Sequence, residues 1–182
     1  MDGIELMVKE HEYIKEGIEL TRKACFKIID EDFVDTSFFN DALTFFINYA
    51  DKHHHGKEEE ILFDYLKEAG GDLEKNLINA MEIEHNWGRL LLQDLENALD
   101  EYNKGNKAAK LDIIGNAVGY TNLLTRHIDK EDNALFKHSK KTLGPNKLAE
   151  FNKQVENFEN SSENQANRDK YIKLLENLKQ KI

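Results

Sequence analysis

The sequence predicts an all-α protein in which four long helices form an up-down-up-down bundle, with additional helices at the C-terminus. Apolar residues recur at steps of three and four through most of the 182 residues, which is the spacing of amphipathic helices. The chain has only 1 proline and 10 glycines, whereas sandwiches and barrels need many turn residues. Short breaks between the long periodic stretches favour an antiparallel bundle over separate domains.

The breaks in the apolar pattern place the four bundle helices. Thr36 or Ser37 can cap the second helix and Asp72 the third, because such side chains accept hydrogen bonds from free backbone amides. Glycines follow the second and third helices, which is typical of helix ends. In chain order the helices are expected to run from about Ile4 to Ile29, Thr36 to Lys67, Asp72 to Lys104 and Lys107 to Lys140.

A C-terminal extension, residues 143–182, follows the bundle, to which we assign residues 1–142. The apolar pattern predicts a fifth helix at Asn146–Phe158 and a short amphipathic helix at Asp169–Ile182. The polar stretch between them, Asn160–Asn167, is expected to be a loop. We expect these pieces to pack on the outside of the bundle or to join copies of the chain in a homo-oligomer. The pattern does not favour one over the other.

Composition excludes several classes of protein. A net charge of −10 is unfavourable for binding the phosphates of nucleic acids. The single Cys25 excludes an internal disulfide and any site built from several cysteines. No apolar run approaches the roughly 20 residues of a membrane span, and the first residues do not resemble a secretory leader. We therefore expect a soluble, cytoplasmic protein without nucleic-acid or membrane partners.

An internal repeat carries histidines and glutamates to matching positions in both halves of the chain. The pattern His-x-x-Lys-Glu-x-x-x-Leu-Phe occurs at residues 54–63 and again at 127–136. A Glu-His pair precedes each copy, as Glu10-His11 and as Glu84-His85. Each half is therefore expected to be a helical hairpin with one histidine on its first helix and His-x-x-x-Glu on its second.

The repeat predicts a dinuclear metal site. Residues four apart lie on one face of a helix, so His54 and Glu58 can reach the same ion, and the same holds for the second copy. Imidazoles and carboxylates buried together need a cation, and this donor set favours iron over manganese or zinc. We expect two ions bridged by Glu58 and Glu131, with His11 and His54 on one ion and His85 and His127 on the other.

The register of the first copy has an alternative, because His53, His54 and His55 are consecutive. Alignment with the second copy selects His54. The alternative pair is His55 with Glu59, and otherwise His53 and His55 are expected in solvent or at helix interfaces. The lysines of the two copies, Lys57 and Lys130, are expected in solvent.

These motifs resemble those of the hemerythrin-like, or HHE cation-binding, proteins, over about residues 4–140. The resemblance implies a four-helix bundle with a non-haem diiron centre that meets dioxygen, nitric oxide or hydrogen peroxide. Oxygen carriers of this family have a fifth histidine where this chain has Arg89. Four histidines and two glutamates resemble instead a branch that includes iron–sulfur-repair and stress proteins, although the paired cysteines of the repair proteins are absent.

The resemblance implies binding of dioxygen, or reaction with peroxide or nitric oxide, in stress protection or sensing. A non-catalytic carrier or store of oxygen or iron, and a redox-dependent interaction module, are the alternatives, so an enzymatic role stays open.

Two further residues are expected near the metal pocket. Tyr120 lies two turns before His127 and either borders the pocket or is an ordinary core residue. Arg89 either pairs with a carboxylate or points outward.

Overall fold

The computed structural model describes all residues 1–182 and confirms the all-α prediction, since it contains helices and no strand. Two π-helical stretches, Phe46–His55 and Glu58–Leu62, connect α2 to α3 without a break, and Glu131–Leu135 connects α5 to α6 in the same way. The α-helices are α1 Gly3–Glu31, α2 Thr36–Phe45, α3 Phe63–Ala69, α4 Asp72–Asn103, α5 Lys110–Lys130, α6 Phe136–Asn160 and α7 Ser162–Lys179.

Four continuous helical segments form the bundle, and we number them bundle helices 1 to 4. Bundle helix 1 is α1, and bundle helix 2 spans 36–69 from α2 through α3. Bundle helix 3 is α4, and bundle helix 4 spans 110–143 from α5 into the first part of α6. These bounds match the four helices expected from the apolar pattern to within a few residues.

The helix caps differ slightly from the prediction. Asp35, rather than Thr36 or Ser37, caps α2, and its Oδ1 accepts a hydrogen bond from the amide of Phe38 at 3.0 Å. At the start of α4, Asp72 is already in the first turn, and Glu74 Oε2 accepts from the amide of Gly71 at 2.7 Å. In both cases a nearby acidic side chain accepts a hydrogen bond from a free backbone amide at the start of the helix.

The C-terminal extension is more helical than the sequence suggests. Gly144 has a φ of 63°, which breaks the direction of bundle helix 4, and the helix resumes at Pro145 and runs to Asn160. The predicted loop at Asn160–Asn167 is wrong, because α7 begins at Ser162. Ser161 caps it by accepting a hydrogen bond from the amide of Asn164. The polar residues of this stretch lie mostly on the exposed surface of a helix.

The extension packs on bundle helices 1 and 2. Its apolar side chains join two separate core clusters. Phe151 and Val155 pack with Ile4, Met7 and their neighbours at one end of the bundle, whereas Tyr171, Leu175 and Leu178 join the larger cluster at the other end. No helix combines the length and apolar character needed to cross a membrane. The division of the chain into residues 1–142 and 143–182 stays a prediction.

Candidate metal centre

A layer of buried histidine and glutamate side chains crosses the bundle between the two apolar clusters. On bundle helix 1, His11 lies between Met7 of the smaller cluster and Ile14 of the larger. The six residues singled out by the repeat all belong to this layer, each at most 2% exposed: His11, His54, Glu58, His85, His127 and Glu131. The structure thus brings together the side chains that the sequence selects.

The π-helical stretches carry this layer. Phe46–His55 ends in the consecutive histidines, Glu58–Leu62 begins with Glu58, and Glu131–Leu135 begins with Glu131. In a π-helix the backbone bonds run from residue i to i+5, so the turn is wider than in an α-helix, and such turns are frequent at functional sites. In a wider turn, the angle about the helix axis between consecutive side chains is smaller. Neighbouring histidines can therefore face the same interior layer.

The imidazoles of the layer form two groups. His11 and His54 approach each other through their Nε2 atoms at 2.8 Å, and His85 and His127 do so at 3.1 Å. These are the two pairs that the sequence assigns to separate ions. Nε2 is the outward ring nitrogen, so both pairs present the atom that a metal ion would bind.

Glu58 and Glu131 lie between the two groups. The two oxygens of Glu131 are 3.3 Å from His11 Nε2 and 2.9 Å from His127 Nε2. Those of Glu58 are 3.8 Å from His54 Nε2 and 3.5 Å from His85 Nε2. Each carboxylate therefore faces both groups, as a bridging ligand must.

A fifth imidazole, from His55, belongs to the second group. His55 is 6% exposed, and its ring stacks on that of His85 with centroids 3.9 Å apart. Potential ligand atoms of His55, Glu58, His85 and His127 lie within 4.8 Å of one another. A fifth imidazole thus lies beside the four that the sequence selects. The alternative pair of His55 with Glu59 does not form, because Glu59 bonds to His85.

A carboxylate contacts the Nδ1 atom of every imidazole in the layer. Such contacts fix the ring orientation and direct Nε2 toward the centre. The repeat is visible in them, since the supports of His54 and His127 are the glutamates that precede His11 and His85. The pairs are Asp132 with His11 at 2.7 Å, Glu10 with His54 at 2.8 Å, Glu59 with His85 at 2.6 Å, Glu84 with His127 at 2.9 Å and Asp51 with His55 at 3.3 Å.

The residues present fit a metal ion. All four carboxylate oxygens of Glu58 and Glu131 are buried without a hydrogen-bond partner, although imidazole nitrogens lie close to them. An unpartnered buried carboxylate is costly, and a cation between the two groups would compensate it. Imidazole and carboxylate ligands suit first-row transition metals.

The titration of the histidines reflects the same excess of negative charge. Burial lowers the pKa of His11, but the nearby Asp132 and Glu131 outweigh it and raise the pKa to about 9. For His85, Glu58 and Glu59 likewise outweigh burial and raise the pKa to about 9. The pocket therefore attracts positive charge.

Arg89 and Tyr120 lie beside the second group. Arg89 pairs with carboxylates instead of pointing outward, since its Nε donates to Asp51 at 2.9 Å and its Nη2 to Glu59 at 2.8 Å. It therefore supports the carboxylates behind His55 and His85. Tyr120 is 3% exposed and lines a narrow pocket together with these histidines, and its ring packs edge-on against Phe46.

Lys57 is fully buried, contrary to the expectation that both repeat lysines lie in solvent, whereas the side chain of Lys130 is 49% exposed. His53, the remaining member of the histidine triplet, is also buried and stacks on Tyr49. It belongs to neither imidazole group of the layer. The C-terminal extension covers both side chains. The prediction for Lys57 is therefore wrong, whereas His53 lies at a helix interface, one of the two places expected for it.

A family model described as the hemerythrin HHE cation binding domain matches residues 2–138. This segment contains every residue of the buried layer and ends before the C-terminal extension. No curated protein and no solved structure matches the chain.

Proposed function

This chain belongs to the hemerythrin HHE cation-binding domain family, and we propose that it holds two iron ions and binds dioxygen, or reacts with peroxide or nitric oxide, in stress protection or sensing. The four unpartnered oxygens of Glu58 and Glu131, placed between two imidazole groups, carry the proposal. The family domain binds metal cations, and a donor set of imidazoles and carboxylates with open coordination positions supports iron as the metal.

The ligands divide unequally between the two ions. His11 and His54 would hold one ion, and His55, His85 and His127 the other, with Glu58 and Glu131 shared. Fewer candidate ligands face the His11/His54 position, so an ion there would keep more coordination positions open for an external ligand.

Bound iron supplies redox chemistry and open coordination positions for small oxygen and nitrogen ligands. The chain contributes the surroundings. Apolar clusters on both sides exclude water, the ring of Phe136 stacks on His11 at 5.6 Å, and the carboxylates at Nδ1 hold the rings in place.

Reversible oxygen binding is the second candidate, and His55 favours it. The absence of a fifth histidine at Arg89 argues for reactive chemistry at two exposed ions, but His55 fills the second group from bundle helix 2. A centre with one open side suits binding and release of a small ligand as well as its reduction.

Spectroscopy of the iron-loaded protein separates these functions. The reduced protein, loaded anaerobically, is exposed to dioxygen, peroxide and nitric oxide in turn while the visible absorbance is recorded. A change that reverses when the gas is removed supports a carrier, and peroxide loss over many turnovers supports an enzyme. No response to any of the three by protein holding two irons contradicts the proposal.

Glu131→Gln and Glu60→Gln make a matched pair of variants for this experiment. Glu131 faces both imidazole groups, so Glu131→Gln should weaken the binding of both ions and abolish the spectral response. Glu60 is exposed and lies in the same π-helical stretch as Glu58, so its variant should behave as the unaltered protein.

A further inference from the structure

A buried ion cluster lies directly behind His54. One oxygen of Glu10 contacts Nδ1 of His54 at 2.8 Å, and its other oxygen accepts a hydrogen bond from the ammonium of Lys57. The same ammonium donates to Glu159 Oε1 at 2.6 Å. Lys57 is fully buried, and Glu10 and Glu159 are each 3% exposed. A continuous chain of contacts therefore runs from the C-terminal extension to a candidate metal ligand.

The cluster is anchored in the extension. Nη1 of Arg168, on α7, donates to the second oxygen of Glu159 at 3.1 Å. Phe158 lies beneath the ammonium of Lys57, with 5.4 Å from the nitrogen to the ring centroid. The three extension residues that meet the cluster thus come from α6 and α7, outside the segment that the family model matches.

The second half of the repeat has no such cover. Lys130 bonds to Glu84, which contacts Nδ1 of His127, so the chain of lysine, glutamate and histidine is repeated. Yet the side chain of Lys130 is 49% exposed, and its ammonium has no second carboxylate. The two imidazole groups are therefore supported differently, one by the extension and the other by solvent-exposed charges.

We infer that Glu159 is a positioning residue for the His11/His54 metal position, which makes the C-terminal extension part of the metal centre. A buried lysine needs full pairing, because an uncompensated buried charge is strongly unfavourable. Without Glu159, the ammonium of Lys57 has Glu10 as its only carboxylate partner, and Glu10 then turns toward it at the expense of His54. The inference rests on the proposed dinuclear centre.

The variant Glu159→Gln tests this role in the full-length, iron-loaded protein. Loss of supporting partners costs about 10- to 100-fold in metal affinity. We expect loss near the lower end of that range for one of the two irons, with an altered Mössbauer signal for that iron alone. Glu156→Gln, one turn earlier on α6 and exposed, is the matched control and should leave both irons unchanged.

Two outcomes overturn the inference while leaving the dinuclear centre intact. The unaltered protein must first hold two irons; if it does not, the proposed function itself fails. If the unaltered protein holds two irons, and Glu159→Gln retains both as firmly with unchanged Mössbauer signals, the extension does not act on the site. Equal weakening of both irons shows general loosening rather than positioning.

Hydrogen exchange on the unaltered protein covers the case in which Glu159→Gln does not fold. Coupling between two sites is reciprocal, so a residue that strengthens metal binding is itself stabilised by the metal. Iron loading should therefore slow amide exchange at residues 155–160 of α6, while residues 173–178 of α7, away from the cluster, serve as the internal reference. Unchanged exchange at 155–160 contradicts the inference.

Discussion

His55 provides the sharpest test of the metal centre, and the informative change is His55→Leu. In the second copy of the repeat the corresponding residue is the buried Ile128, 1% exposed, so an aliphatic side chain is tolerated at this place in the bundle. Asp51, the partner of His55, keeps its bonds to Arg89. The change therefore removes one imidazole with little other disturbance.

The expected loss follows from the contacts of His55. Its potential ligand atom lies within 4.8 Å of those of Glu58, His85 and His127. Loss of a partner one step removed from a metal costs about 10- to 100-fold in affinity, so a direct ligand should cost about 100-fold or more. At about 1.4 kcal/mol for each factor of ten, this is about 2.8 kcal/mol for one ion.

Iron retention against chelators of increasing strength measures this loss. His55→Leu should release one iron early and keep the other, while His54→Leu should release the other iron instead, which Mössbauer spectroscopy distinguishes. If His55→Leu retains both irons as firmly as the unaltered protein while His54→Leu does not, His55 is not a ligand.

Three further predictions concern supporting charges. Lys57→Met should lower the free energy of unfolding, measured in denaturant, by about 3 to 5 kcal/mol, because it removes the ammonium that pairs with the buried carboxylates of Glu10 and Glu159. Lys130→Met should lower it by less than about 1 kcal/mol, since that side chain is half exposed. Equal losses contradict the difference in burial. Arg89 holds Asp51 and Glu59, the carboxylates behind His55 and His85. Arg89→Leu should therefore lower the affinity for one iron about tenfold. A chelator competition should show this loss, while the helix content measured by circular dichroism stays constant. Hydrogen bonds from His138 and the amide of Gly71 lower the pKa of Glu74 from 4.5 to about 2, so its contribution to stability is present above pH 4.5 and is lost as the pH falls toward 2. Glu74→Gln should accordingly lower the thermal midpoint of metal-free protein at pH 7 but hardly at pH 2, and a difference that grows on acidification contradicts the assignment.

The bundle and most of the site follow from the sequence because the pattern is local and duplicated. Apolar spacing gives the helix bounds, and the repeat aligns His54 with His127 although three histidines are consecutive. The sequence does not decide the orientation of Arg89, because its carboxylate partners come from bundle helix 2.

The sequence presents His54 and His55 as alternatives, because consecutive residues on an α-helix point about 100° apart and only one of them is expected to face the interior. The π-helical stretch Phe46–His55 changes that relation. One sequence signal points to it. Asp51 and His55 are four residues apart, and the corresponding residues in the second copy are the apolar Leu124 and Ile128. A polar pair at positions that are apolar in the other copy indicates a functional role for His55.

The prediction of a loop at Asn160–Asn167 fails for a different reason. The residues from Asn160 to Asn167 are polar, but polarity alone reports exposure and does not exclude a helix. Burial of Lys57 depends on how α6 packs on bundle helix 2, and the partner that compensates its charge, Glu159, lies far along the chain. No local pattern contains such a long-range contact.

Iron analysis combined with Mössbauer spectroscopy of the iron-loaded protein is the decisive test of a dinuclear centre in this chain. We expect two irons per chain in two different environments, magnetically coupled through the shared carboxylates of Glu58 and Glu131. A chain that binds a single iron, or two irons without coupling, contradicts it.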